Sequence, residues 1–144
     1  MTKLLQLLDE RINDPAKSGV YRALHDRDIR AALSAGKQGI AMVELGRGKN
    51  AILAGIATAL EFPDWFGGNW DALEDCLTDL SWRTGTDRVI LFQGEVAGED
   101  FGILVDVLTS AAEFWRKQGR AFVAVFIDPD KRLKLPELYD AKAG

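Results

Sequence analysis

Six carboxylates, Glu61, Asp64, Asp71, Glu74, Asp75 and Asp79, fall between Asn50 and Trp82, and no Lys, Arg or His falls among them. Carboxylates at that density can work as a general acid and base, as oxygen ligands for a divalent cation, or as a fixed anionic surface for a cationic partner. The first two need a cleft and a third group. Asp71 and Asp75 are four residues apart, so a helix puts both on one outer face, and nothing near them in sequence supplies another ligand. The surface reading fits better, because ordinary exposed helices mix signs and gain i,i+4 pairs. Here the net charge of −4 is local: all 18 bases lie outside the window and leave the rest of the chain net positive. A polar stripe is commonly no more than a solvated face, and an acid in a first turn also gains from the helix dipole. That plain reading leaves the lack of balancing bases over more than thirty residues unexplained.

Other constellations carry less. Gly46, Gly48 and Lys49 (GRGKN) follow an apolar run, where a phosphate loop would stand, but the G-x-x-x-x-G-K-[ST] spacing fails and a tight turn is expected. Cys76 is the one cysteine, which excludes an internal disulfide, and His25 is the one histidine, so no zinc set is available and no cofactor is implied. Cys76 is expected to be buried and His25 solvated. An overall acidic chain argues against direct nucleic-acid binding, which needs clustered Lys and Arg. The start, MTKLLQLLDERIND, is too short in its apolar run and too charged for a signal peptide, and no stretch is apolar enough to span a bilayer. Cytoplasmic residence is the expectation.

The elements that must position the acids follow from periodicity. Residues 1–37 read as two helices, carried by Leu4, Leu5, Leu8, Ile12 and by Ile29, Ala32, Leu33, joined by a loop through 15–19 and closed by Gly36 and Gly39. Residues 39–45 (GIAMVEL), 88–92 (RVILF) and 122–127 (FVAVFI) read as buried strands. An Ala-rich helix capped by Asn50 spans 50–60, a loop spans 61–68 (EFPDWFGG), and Asn69 caps a helix to about Leu80. A turn through Thr84 and Thr86 leads to the second strand, and an amphipathic helix spans 100–118. Apolar strands separated by helices indicate a parallel sheet covered on its faces. The expected fold is therefore α/β, with a three-stranded parallel sheet, an N-terminal helical segment (1–37) packed on the main unit (38–127), and a partly ordered tail (128–144).

On the helix after Asn69, Trp70, Leu73, Cys76, Leu77 and Leu80 share one side, while Asp71, Glu74, Asp75, Thr78 and Asp79 take the other. The apolar side must face the sheet, and the carboxylates then form a stripe headed by the loop bearing Trp65. Of Trp65 and Phe66, one is expected buried and one exposed. Trp70 and Trp115 are expected in the core.

The run from Phe62 through Leu77, FPDWFGGNWDALEDCL, resembles the signature of the barstar family: an aromatic pair, a Gly, an Asn cap and D-A-L-x-D-C-L at the same spacing. The resemblance covers about residues 38–127. It implies a three-stranded parallel α/β fold and an intracellular, one-to-one proteinaceous inhibitor of a ribonuclease, of immunity or antitoxin type, with no catalysis of its own. Carried over by position, it implies that Trp65, Gly67, Asn69, Asp71, Asp75 and Thr78 contact the nuclease, with Glu74 on the same face and Asp75 entering the phosphate site. Glu74 and Leu80 stand where the best-known member has tryptophans. That member's contacting glutamate on the last helix falls near Phe114, beside Glu113. A ribonuclease gathers cationic side chains around a scissile phosphate, so carboxylates fixed on a helix are suited to stand in for the phosphates. The competing reading is a module of the same fold that binds another basic protein without inhibiting it.

Overall fold

The computed structural model describes residues 3–35, 41–82, 89–94 and 98–139. The expected breaks at Gly36 and Gly39, the turn at Thr84 and Thr86, and Leu33 as a side chain lie outside the described residues. In chain order the elements are α1 (Lys3–Asn13), a short 3-10 turn (Pro15–Lys17), β1 (Gly19–Ala23), α2 (Arg27–Ala35), β2 (Ala41–Glu44), α3 (Lys49–Ala59), α4 (Trp70–Leu77), β3 (Val89–Gln93), α5 (Gly98–Lys117) and β4 (Val123–Ile127).

Among the described residues the sheet is parallel throughout and has four strands in the order β1-β4-β3-β2, which corrects the expectation of three. The added strand is β1, paired with β4 from Gly19 against Val123 to Ala23 against Ile127. It falls in the stretch expected to hold only two helices and a loop. Its burial is mixed, as an edge strand's is, so it lacks the apolar run that betrays a strand buried on both faces. The Asn50 cap is also corrected. α3 starts at Lys49, and Gly48, at φ +88, takes the cap position without a side-chain hydrogen bond.

Period-two alternation divides the sheet between two cores. Ile90 and Phe92 of β3, with Ala124 and Phe126 of β4, pack under α3, α4 and α5. Phe92 stacks on Phe126 with ring centroids 4.6 Å apart. Val89, Leu91, Val123 and Val125 face the other way, onto Leu8 and Ile12 of α1 and Ile29 and Ala32 of α2. Each fully buried Leu, Ile or Phe contributes roughly 1.5–3 kcal/mol, so the N-terminal segment supplies a core of its own on the second face.

The chain after β4 crosses the β1 edge from one core to the other. Leu133 and Leu135 pack on the first and Leu138 and Tyr139 on the second. The Arg22 N–H donates to Pro136 O at 2.9 Å, and the Leu138 N–H donates to Arg22 O at 3.0 Å, so residues 136–138 close the outer edge of β1. The Asp128 carboxylate is 7% exposed and accepts from the N–H groups of Arg132 and Leu133 at 3.0 and 2.9 Å. No helix among the described residues is long and apolar enough to cross a membrane.

Candidate functional site

The acidic face is built by α4 and the loop before it. α3 ends in a Schellman turn: the Phe62 N–H donates to Ala57 O at 2.9 Å and the Glu61 N–H to Thr58 O at 3.3 Å. That turn needs a left-handed residue, and Glu61 supplies it at φ +56. Residues 61–69 then fold over an aromatic cluster, Phe62 on Phe66 at 4.9 Å and Phe62 on Trp82 at 5.7 Å. Gly68, at φ +70, turns the chain into α4. Gly67, which the resemblance implies as a partner contact, is exposed, and a Cβ there would meet only ordinary contacts, 3.5 Å from Ala72 Cβ. The glycine that the turn requires is its neighbour, and its only signal was the GG pair before an Asn.

Asn69 caps α4 as expected, its Oδ1 accepting the Ala72 N–H at 2.7 Å. Leu73, Cys76, Leu77 and Leu80 are buried, which seats the helix on the sheet. Trp115 of α5 locks the far end of α4 by donating its indole N–H to Leu77 O at 2.8 Å. With that side covered, Asp71, Asp75 and Asp79 are exposed and Glu74 is half-buried. Thr78 is half-buried, and its hydroxyl donates to Glu74 O at 2.9 Å. Asn69 and Gly67 are exposed, and Trp65 is 59% exposed, the most open large apolar side chain among the described residues. Phe66 and Trp70 are half-buried against the first core, and Trp115 is buried.

None of the six carboxylates of the acidic window forms a salt bridge among the described residues. Their field acts instead on the thiol beneath. Burial pushes the Cys76 thiol pKa up, and the Asp75 and Asp79 charges push it further the same way. Like charges at i,i+4, here Asp71 with Asp75, destabilise a helix by about 0.2–0.5 kcal/mol a pair. The stripe therefore works against the helix that carries it.

Glu113 sits on the exposed side of α5 and bonds Arg116, with Lys117 at 4.0 Å. The Arg116 guanidinium holds the Glu113 carboxyl below its ordinary value. This acid is thus engaged within its own helix, unlike those on α4, while the adjacent Phe114 is 39% exposed. His25, expected solvated, has a buried Nδ1 with no hydrogen-bond partner among the described residues, lies edge-on to Tyr139 at 6.5 Å and has Nε2 3.9 Å from Asp28. Among the described residues no three of His, Cys, Asp and Glu gather in a way that could hold a metal ion.

The family model for Barstar (barnase inhibitor) matches residues 43–127, more than half of the chain. The chain belongs to the barstar family. No curated protein matches it. The barstar match opens inside β2 and closes on the last residue of β4, so it contains α3, the 61–69 loop, α4 and α5. β1, α1, α2 and the segment after β4 lie outside it. Members of the barstar family are ribonuclease inhibitors.

Proposed function

We propose that this chain is an intracellular, one-to-one inhibitor of a ribonuclease, and that Trp65, Gly67, Asn69, Asp71, Glu74, Asp75 and Thr78 form its docking face. The observation that carries the reading is that the window carboxylates form no salt bridge among the described residues, with Asp71 and Asp75 exposed on a helix that is capped, seated and locked at both ends. A nuclease that stabilises phosphate charge with Arg, Lys and His presents the complementary pocket. Asp75, exposed in the last turn of α4, enters it. The Trp65 indole packs beside it, and the Asn69 cap and Thr78 hold the helix ends. In this role the chain does no chemistry of its own.

The charges also set the kinetics. Opposite fields steer the encounter, so association is fast and slows as salt rises. The remaining window acids contribute mostly to this rate.

The test is a titration of the purified chain into a barnase-type ribonuclease with an RNA substrate. Stoichiometric loss of activity at one equivalent, with an association rate that falls at least tenfold between low and high salt, is the expected result. Full activity at a large excess of the chain would refute inhibition. A second reading, a module for another basic protein, draws on Glu74, which makes this face more acidic and less aromatic than a family face bearing tryptophan there. In that case the chain binds a basic partner through the same residues while RNA cleavage continues.

A further inference from the structure

The exposed indole of Trp65 is gripped from outside the loop that carries it. Its ring meets the Trp82 ring edge-on, centroids 5.9 Å apart and planes at 85°. Trp82 is itself held: its Nε1–H donates to Leu60 O at 3.1 Å, and its ring meets Phe62. The chain returns to this place because Leu80, buried and at φ +54, turns it back after α4. The loop before α4 and the turn after it are thus joined through the Trp82 ring, which meets both Phe62 and Trp65, with the acidic helix between them.

We infer that Trp82 is a positioning residue for the docking face: it holds the Trp65 indole in one orientation before any partner arrives. The consequence for binding rests on the inhibitor reading, but the positioning itself does not. An exposed indole with free χ angles must be ordered on association, and one ordered beforehand avoids that cost. A T-shaped pair suits the task, since the edge of one ring meets the face of the other while one face of Trp65 stays open. The hydrogen bond to Leu60 keeps Trp82 from rotating with it.

The test begins with the free, full-length chain labelled with 15N. Trp65→Phe identifies its indole N–H signal by loss. In the native chain the Trp65 indole order parameter should be near that of rigid backbone, about 0.8 or above. In Trp82→Leu it should fall below about 0.6 while the Trp115 indole stays ordered, and Trp82→Phe, which keeps an aromatic ring edge, should restore most of the loss. A mobile Trp65 indole in the native chain, or one unchanged in Trp82→Leu, overturns the inference. If Trp82→Leu does not fold, Trp82→Met, which fills the space without a ring, is read the same way. With a barnase-type ribonuclease as probe, Trp82→Leu should dissociate about three- to tenfold faster with its association rate unchanged. Equal dissociation rates despite a mobile indole would refute the link to binding. A ribonuclease that binds neither protein would refute the inhibitor reading alone and leave the order parameters to decide the positioning role.

Discussion

At the β1 edge, Arg22 reaches Glu137 at 3.3 Å and Asp128 at 4.0 Å and donates its Nε–H to Leu135 O at 2.9 Å, so three strap residues share one guanidinium. At α4, Asp71, Glu74 and Asp75, with Asp79 just past its end, form no salt bridge among the described residues. The first region uses charge to hold two parts of its own chain together. The second leaves charge uncompensated, at a small cost to the helix, and spends its internal contacts on keeping the carrier rigid: the Asn69 cap, the buried Leu73 and Leu77, and the Trp115 clasp. Charges that are self-satisfied serve the fold, and charges that are rigid but unsatisfied are suited to a partner.

Substitutions separate the two regions. The largest effect is expected from Asp75→Ala, which should weaken ribonuclease binding by more than about 2 kcal/mol. Thermal unfolding should be unchanged or slightly raised, because the like-charge i,i+4 contact with Asp71 vanishes. A lower melting temperature with unchanged affinity would reverse the roles assigned to the two regions. Asp128→Ala should do the opposite. It strips the acceptor from two backbone N–H groups and from Arg22, and should cost about 2 kcal/mol in a denaturant titration with affinity unaffected.

A smaller effect of the other sign is expected at the end of α3. The same Schellman turn closes α5, where Arg120 N–H donates to Trp115 O and Gly119 takes the left-handed position at φ +73. α3 uses Glu61 there, so Glu61→Gly should raise stability by about 1 kcal/mol and leave the affinity within a few fold, read by the same titration. The smallest expected signal is at Cys76. With its thiol buried and its pKa raised by burial and by Asp75 and Asp79, it should resist alkylation at neutral pH until the protein is unfolded. Rapid labelling of the native chain would show that α4 is not seated as described.

Much of the α4 region was legible in sequence because its signals are local. Asn69 lies three residues before the N–H it caps, the apolar positions repeat at helical spacing, and the lack of bases is visible by eye. β3, β4 and α5 were legible for the same reason, as apolar runs or an apolar stripe. The β1 edge was not. Gly19–Ala23 becomes a strand because Val123–Ile127 and residues 136–138 flank it, and those partners lie about a hundred residues away. Nothing local marks Leu138 and Tyr139, beyond two prolines, as the residues that reach the second core. The brace at Trp82 was hidden likewise. It depends on left-handed Leu80, a conformation that a leucine rarely adopts and that no pattern announces.

The comparison is tested most directly by mapping amide signals of the labelled chain as a barnase-type ribonuclease is added to one equivalent. The account predicts a footprint confined to residues 65–78, strongest around Asp75, with β1 and residues 128–139 unmoved. A footprint on the β1 edge with α4 undisturbed would contradict it.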